Sequence, residues 1–123
     1  MDDELLDLCE QVYNRTGWEC GSWYSHEIIK RPAYTMDFII DSLPVFVYDT
    51  VTRLHKESGC RNCTCEQRYK TYLEIHRYDT KSMACYVSNG NSRAIPYLTR
   101  ATTPLKALLR LTIAMHEAGE LND

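Results

Sequence analysis

The sequence predicts an α+β fold: a single domain, residues 1–123, in which an antiparallel sheet of three to four strands packs with helices. Three observations predict it. Apolar residues recur at helical spacing near both ends of the chain. Between Gln67 and Thr99 the period changes to two. The order helix, helix, strands, helix then leaves layered packing as the natural way to bury both kinds of apolar face. At 123 residues the chain fits one core and buries about two-thirds of the surface that its unfolded form exposes.

The first helix is expected over residues 3–13. Leu5, Leu8, Cys9 and Val12 stand at i, i+3, i+4 and i+7, Asp2 or Asp3 supplies the cap, and Gly17 lies past the end. Residues 17–34 mix Trp18, Trp23 and Tyr24 with glycine, serine and charge, and read as an irregular loop with room for one short strand. Pro32 closes that segment and Thr35 offers a new cap. Ile39, Leu43, Phe46, Val47, Val51 and Leu54 then read as one face of a four-turn helix that ends at Gly59. Pro44 lies inside it; a kink is expected there, the alternative being a second helix capped by Ser42.

From Gln67, Tyr69, Thr71, Leu73 and Ile75 share one strand face, while Lys70, Tyr72, Glu74 and His76 share the other. Asp79-Thr80-Lys81 turns the chain into a strand carrying Met83, Cys85 and Val87. Asn89-Gly90-Asn91 turns it again into a third strand at about 93–99, which Pro96 assigns to an edge. Thr103-Pro104 begins the last helix, with Leu105, Leu108, Leu109, Thr112, Ile113 and His116 on one face and Gly119 as its stop.

Composition excludes several roles. The acidic start Met1-Asp2-Asp3-Glu4 is unlike a secretory leader, and no apolar window is long enough to span a membrane, so a cytoplasmic protein with reduced thiols is expected. A net charge of -3 with no basic stripe argues against long nucleic acid, which is held through its phosphates, and favours a small anionic ligand. No nucleophile elbow, glycine-rich phosphate loop or spaced carboxylate pair is present. His116-Glu117 lacks the second histidine, one helical turn on, that a zinc protease needs. A binding protein, not an enzyme, is expected.

Two sets of side chains carry candidate chemistry. Cys60, Cys63 and Cys65 lie within six residues and His55 precedes them, a set from which one loop could hold tetrahedral Zn²⁺, although a zinc signature normally has two separated pairs. Nine tyrosines, six of them on or beside the expected sheet, serve as amphipathic cover; beside arginines, such rings also stack bases while guanidinium groups pair phosphates. Arg31, Arg93, Arg100 and Arg110 are the cationic candidates.

Two stretches, and a dipeptide in addition, resemble a known family. Pro32-Ala33-Tyr34-Thr35-Met36-Asp37 is similar to the P-x-Y-S/T-x-D entry of small phage proteins of the phage ABA sandwich domain type. Ala101-Thr102-Thr103-Pro104-Leu105-Lys106-Ala107-Leu108-Leu109-Arg110 resembles that family's closing A-x-T-x-P-L-A-L-x-R-A helix, and Gly17-Trp18 its early G-W element. Pro44 and the Cys60–Cys65 loop depart from the family pattern. The resemblance implies an α/β/α sandwich-like arrangement. By analogy with phage proteins of this size that blunt the Thoeris defence, it implies an anti-defence sponge: a homo-oligomer that sequesters a cyclic nucleotide of cyclic ADP-ribose type without cleaving it. In that role Arg31 and Arg110 would pair phosphates, a tyrosine such as Tyr86 would stack adenine and Asn91 would read a base edge, with Tyr34 and Arg93 as further ligand-binding residues. The alternative is a zinc-stapled module, built on His55 and the three cysteines, that binds a host protein or nucleic acid.

Overall fold

The computed structural model of the chain describes residues 3–19, 23–26, 29–54, 64–88 and 94–121. Helix α1 (Asp3–Thr16) leads into a short antiparallel hairpin of β1 (Trp23–His26) and β2 (Ile29–Pro32). Helix α2 (Met36–Ser42) follows, then four strands, β3 (Phe46–Leu54), β4 (Thr64–Arg77), β5 (Ser82–Ser88) and β6 (Tyr97–Ala101), and helix α3 (Pro104–Glu117). The four strands pair in the order β3-β4-β5-β6, antiparallel throughout, in a sheet curled into a half-barrel. This is the α+β class that the periodicities predict.

Local chemistry explains each boundary. The α1 helix buries Leu6, Leu8, Cys9 and Val12, and Gly17 ends it with φ 69°, its N–H donating to the Tyr13 carbonyl at 2.8 Å. A side chain would be strained at that φ, so glycine is the economical stop. In α2 the Thr35 hydroxyl accepts from the Phe38 N–H at 3.2 Å. In α3 the Thr103 hydroxyl accepts from the Lys106 N–H at 3.3 Å, with Pro104 at the first helical position. Thr103→Ala should lower the free energy of unfolding by about 1 kcal/mol, the usual cost of a lost cap; a denaturant titration with no shift in midpoint would contradict that cap's contribution.

Two expectations are corrected. Residues 39–54 do not form one kinked helix: α2 stops at Ser42, and β3 begins at Phe46. Pro44 forces the break. It cannot donate to the helix ladder and its ring pushes the preceding residue out of the helical region, and Leu43 accordingly adopts φ -76°, ψ 151°. Beyond it, Phe46, Val47, Tyr48, Thr50, Val51 and Thr52 are aromatic or β-branched, the types that fit a pleated surface. Within the segment read as an irregular loop with room for one short strand, Trp23–His26 and Ile29–Pro32 instead pair as two antiparallel strands, Tyr24 opposite Arg31 and Ser25 opposite Lys30.

One core holds the elements together. Leu8, Cys9 and Val12 of α1, Ile39 of α2, Val47, Ala84, Tyr86 and Ala101 of the sheet, and Ala107, Leu108, Leu109, Leu111 and Met115 of α3 form a single buried cluster. The third helix is the hub: it lies on β4, β5 and β6 and also packs against α1 and α2. The described helices therefore gather on the sheet face that carries Val47, Thr71, Ala84 and Tyr86. Polar atoms within this layer are satisfied, with the Thr71 hydroxyl donating to the Val47 carbonyl at 2.8 Å and the Thr112 hydroxyl to the Leu108 carbonyl at 2.9 Å. Glu4 ties α1 to α3, accepting from Arg110 at 2.9 Å and from the buried Lys106 at 3.4 Å. No described helix is long and apolar enough to cross a membrane.

Candidate functional site

Period two divides the sheet into a helix-covered face and an outer face. Along β4 the outer face reads Arg68, Lys70, Tyr72, Glu74 and His76; along β3 it reads Phe46, Tyr48 and Thr50. The ladder sets Phe46 opposite Tyr72, Tyr48 opposite Lys70 and Thr50 opposite Arg68. Each long cation leans one diagonal step onto the neighbouring ring, a span that cross-strand diagonals allow. The Arg68 guanidinium carbon stands 4.0 Å from the Tyr48 ring centroid, and Lys70 Nζ stands 4.5 Å from that of Phe46. Phe46 meets Tyr48 edge-on at 5.4 Å and Tyr72 at 6.4 Å.

The result is a contiguous aromatic and cationic platform left open to solvent, Tyr48 being 42% exposed and both Phe46 and Tyr72 37%. Contact between the three rings gathers them into one patch, the arrangement that marks a candidate binding surface more than rings scattered singly would. Each cation–π contact is worth about 0.5–1 kcal/mol at such an exposed site. The platform therefore holds both cations over rings, where a flat anionic ligand could stack and pair at once.

Of the side chains singled out from the sequence, Tyr34, Tyr86 and Arg110 occupy other places. Tyr86 is fully buried under α3 and its hydroxyl donates to the Pro44 carbonyl at 2.7 Å, so its ring belongs to the core. Tyr34 is buried too; its hydroxyl donates to the Trp18 carbonyl at 2.7 Å and its ring stacks on Phe38 at 5.4 Å. Both are correctly placed on the sheet or beside it, but neither presents a free ring face to a ligand in this structure. Arg110 donates through Nη1 to the Arg100 carbonyl at 2.7 Å and through Nη2 to Glu4, pinning β6 and α1 to α3. Arg31 lies in β2 opposite Tyr24. Asn91 and Arg93 fall outside the described residues, as do His55, Cys60 and Cys63 of the expected zinc set; Cys65 sits in β4 opposite Arg53.

Phe46, Tyr48, Arg68 and Lys70 were not singled out from the sequence. Alternation along β4 carried half the signal, since it already put Lys70 and Tyr72 on one face. The missing half was β3: once 46–54 is read as helix, its rings lose their partners.

At one end of the helix-covered face, two tyrosines resist ionisation. Burial, reinforced by the Glu120 carboxylate, pushes the Tyr86 hydroxyl well above its ordinary value. Tyr97 is pushed up to about 12 by burial, by the charge of Glu120, by its hydrogen bond to Glu120 and by Asp49. The fold thus keeps protons that the unfolded chain releases near the ordinary value of 10.0. Their contribution to stability is complete below about pH 10 and is lost as pH rises through the folded values. Unfolding followed from pH 9 to 12 should show stability falling above pH 10, by about 1.4 kcal/mol per pH unit for each retained proton, with Tyr97 contributing less because it is partly solvated. Tyr86→Phe should flatten that slope; an unchanged slope would contradict the assignment.

Compared with protein-family models, with curated proteins and with solved structures, the chain matches none.

Proposed function

We propose that this protein is a non-catalytic binding protein that captures a small anionic nucleotide of the cyclic ADP-ribose type on the outer face of its curled sheet. The observation that carries the reading is the pairing of exposed rings with cations: Arg68 over Tyr48 and Lys70 over Phe46. A nucleotide offers what this surface lacks, a flat base to stack on the rings and phosphates to meet a guanidinium and an ammonium. A short platform of three rings and two cations suits a small ligand better than a polymer. The net charge of -3 points the same way.

The resemblance to small phage proteins gives this capture its biological reading. Holding an immune signal without cleaving it, in the cytoplasm of an infected bacterium, would withdraw that signal from the host defence. An open sheet face is one wall of a pocket. A second copy of the chain supplies the other, which is the reason to expect a homo-oligomer whose sites lie between subunits. Val45, 80% exposed just before β3, and Leu98 on β6 offer apolar surface for such contact.

Incubating the protein with a cyclic ADP-ribose isomer, removing unbound ligand and then denaturing the protein should release the ligand chemically intact. Recovery of a hydrolysed product would replace capture by catalysis, and no retention at all would remove the reading.

A further inference from the structure

Towards the β4–β5 turn, the outer face changes character. Glu74 and His76 are two residues apart on β4 and share that face, and Cys85 on β5 is the ladder partner of Glu74. The ligating atoms of the three side chains all lie within 4.8 Å of one another, with His76 Nε2 3.6 Å from Glu74 Oε2. A tetrahedral ion with bonds of about 2.0–2.3 Å keeps neighbouring donor atoms roughly 3.3–3.7 Å apart. The imidazole and carboxylate already stand near that spacing. The widest separation in the trio need close by only about 1 Å, within reach of side-chain rotation.

The donor chemistry is specific. One thiolate, one imidazole and one carboxylate suit a borderline ion such as Zn²⁺ better than Mg²⁺ or Ca²⁺, which prefer oxygen throughout. Cys85 is only 2% exposed, and burial together with the Glu74 charge holds its thiol protonated above the ordinary range. A dication among the three would reverse both effects: it would take the thiolate directly and offset two negative charges with its own two. The His76 ring runs nearly parallel to Tyr78, 16° between planes at 6.3 Å, which limits its swing. Three protein ligands leave one tetrahedral position for an exchangeable group, as in zinc sites that are not purely structural.

We propose that Glu74, His76 and Cys85 form a Zn²⁺ site bridging β4 and β5 on the outer face of the sheet. It uses none of Cys60, Cys63 and Cys65, and it stands whether or not the aromatic platform binds a nucleotide.

Titration of the full chain with Co²⁺, a spectroscopic stand-in for Zn²⁺, tests it. One Co²⁺ per chain should bind with a thiolate-to-cobalt charge-transfer band, and one equivalent of Zn²⁺ should displace it. The band should survive in a Cys60→Ser, Cys63→Ser, Cys65→Ser triple variant and vanish in Cys85→Ser. Circular dichroism checks that Cys85→Ser folds. If it does not, His76→Ala decides the matter, because that side chain is exposed and its loss should weaken Co²⁺ by more than about tenfold, the least that losing even an outer-shell partner commonly costs. No band in the natural sequence, a band abolished in the triple variant, or undiminished affinity in His76→Ala would each overturn the site.

Discussion

Leu108→Ala is expected to lower the free energy of unfolding by about 3–5 kcal/mol, towards the upper end of large-to-small substitutions in a core. Leu108 is fully buried in the middle of α3, the helix that lies on three strands and against both other helices. Truncation removes apolar area and also leaves a cavity between layers that cannot all collapse onto it, because α3 is fixed at its start by the Thr103 cap and along its length by Glu4. A domain of this size has roughly 5–15 kcal/mol to lose, so the variant should unfold at clearly lower denaturant with the slope of the transition retained. Leu98→Ala, on the outer face and 39% exposed, gives the contrast: it should move stability by no more than about 0.5–1 kcal/mol. Equal effects at the two positions would mean that the helix layer is not where the core lies.

Tyr86→Ala is the second large effect, about 3–5 kcal/mol, the range for removing a buried aromatic ring. Tyr86 combines a fully buried ring with a hydroxyl that reaches back to Pro44, the residue at which α2 gives way to β3. It therefore holds the α2–β3 junction against β5. Tyr86→Phe separates the two contributions: the ring stays, the Pro44 carbonyl loses its donor, and the loss should fall to about 1–2 kcal/mol. Both variants also decide the role of this tyrosine. As a core residue it should leave nucleotide binding unchanged in the folded Tyr86→Phe protein. A loss of binding with intact stability would return it to the ligand site that the sequence suggested.

The parts of the fold that were legible in the sequence are those whose signals are local and redundant. The last helix carries a threonine cap, a proline at its first position, apolar residues on one face and a glycine stop, and all agree. In β4 and β5, alternation marked both strands and grouped Thr71, Leu73 and Ile75 on one face, but it did not say which face the helices cover. The alternating Met83, Cys85 and Val87 of β5 lie on the outer face, and Ala84 and Tyr86 lie under the helices. The strand β3 was hidden by arithmetic. Positions 39, 43, 47 and 51 are four apart, and a spacing of four keeps residues together on a helix and on a strand alike. Only the β-branched and aromatic composition after Pro44 separates the two.

The candidate site was less legible, because contact partners far apart in the chain decide what each side chain does. Arg110 looks like a free guanidinium in the sequence, yet Glu4, 106 residues away, takes it. Tyr86 reads as a ring between two strand neighbours, but alternation puts it on the same face as Ala84, under α3. Conversely, Phe46 and Tyr48 gain their meaning from Arg68 and Lys70 across a ladder whose existence depends on recognising β3. Glu74, His76 and Cys85 meet for the same reason: β4 and β5 pair in one register, and a slip of one residue would send Cys85 to the other face.

The central claim is that the ring-and-cation platform of β3 and β4 is the ligand-binding surface. Isothermal titration with a cyclic ADP-ribose isomer tests it most directly, comparing the natural sequence, a Tyr48→Ala, Arg68→Ala double variant and an Arg110→Ala control. Binding should be lost or weakened by more than about 100-fold in the double variant, each stacking ring and each charge-assisted contact being worth about 1–3 kcal/mol, and it should persist in the control. Unchanged affinity in the double variant, or loss confined to Arg110→Ala, would contradict the account.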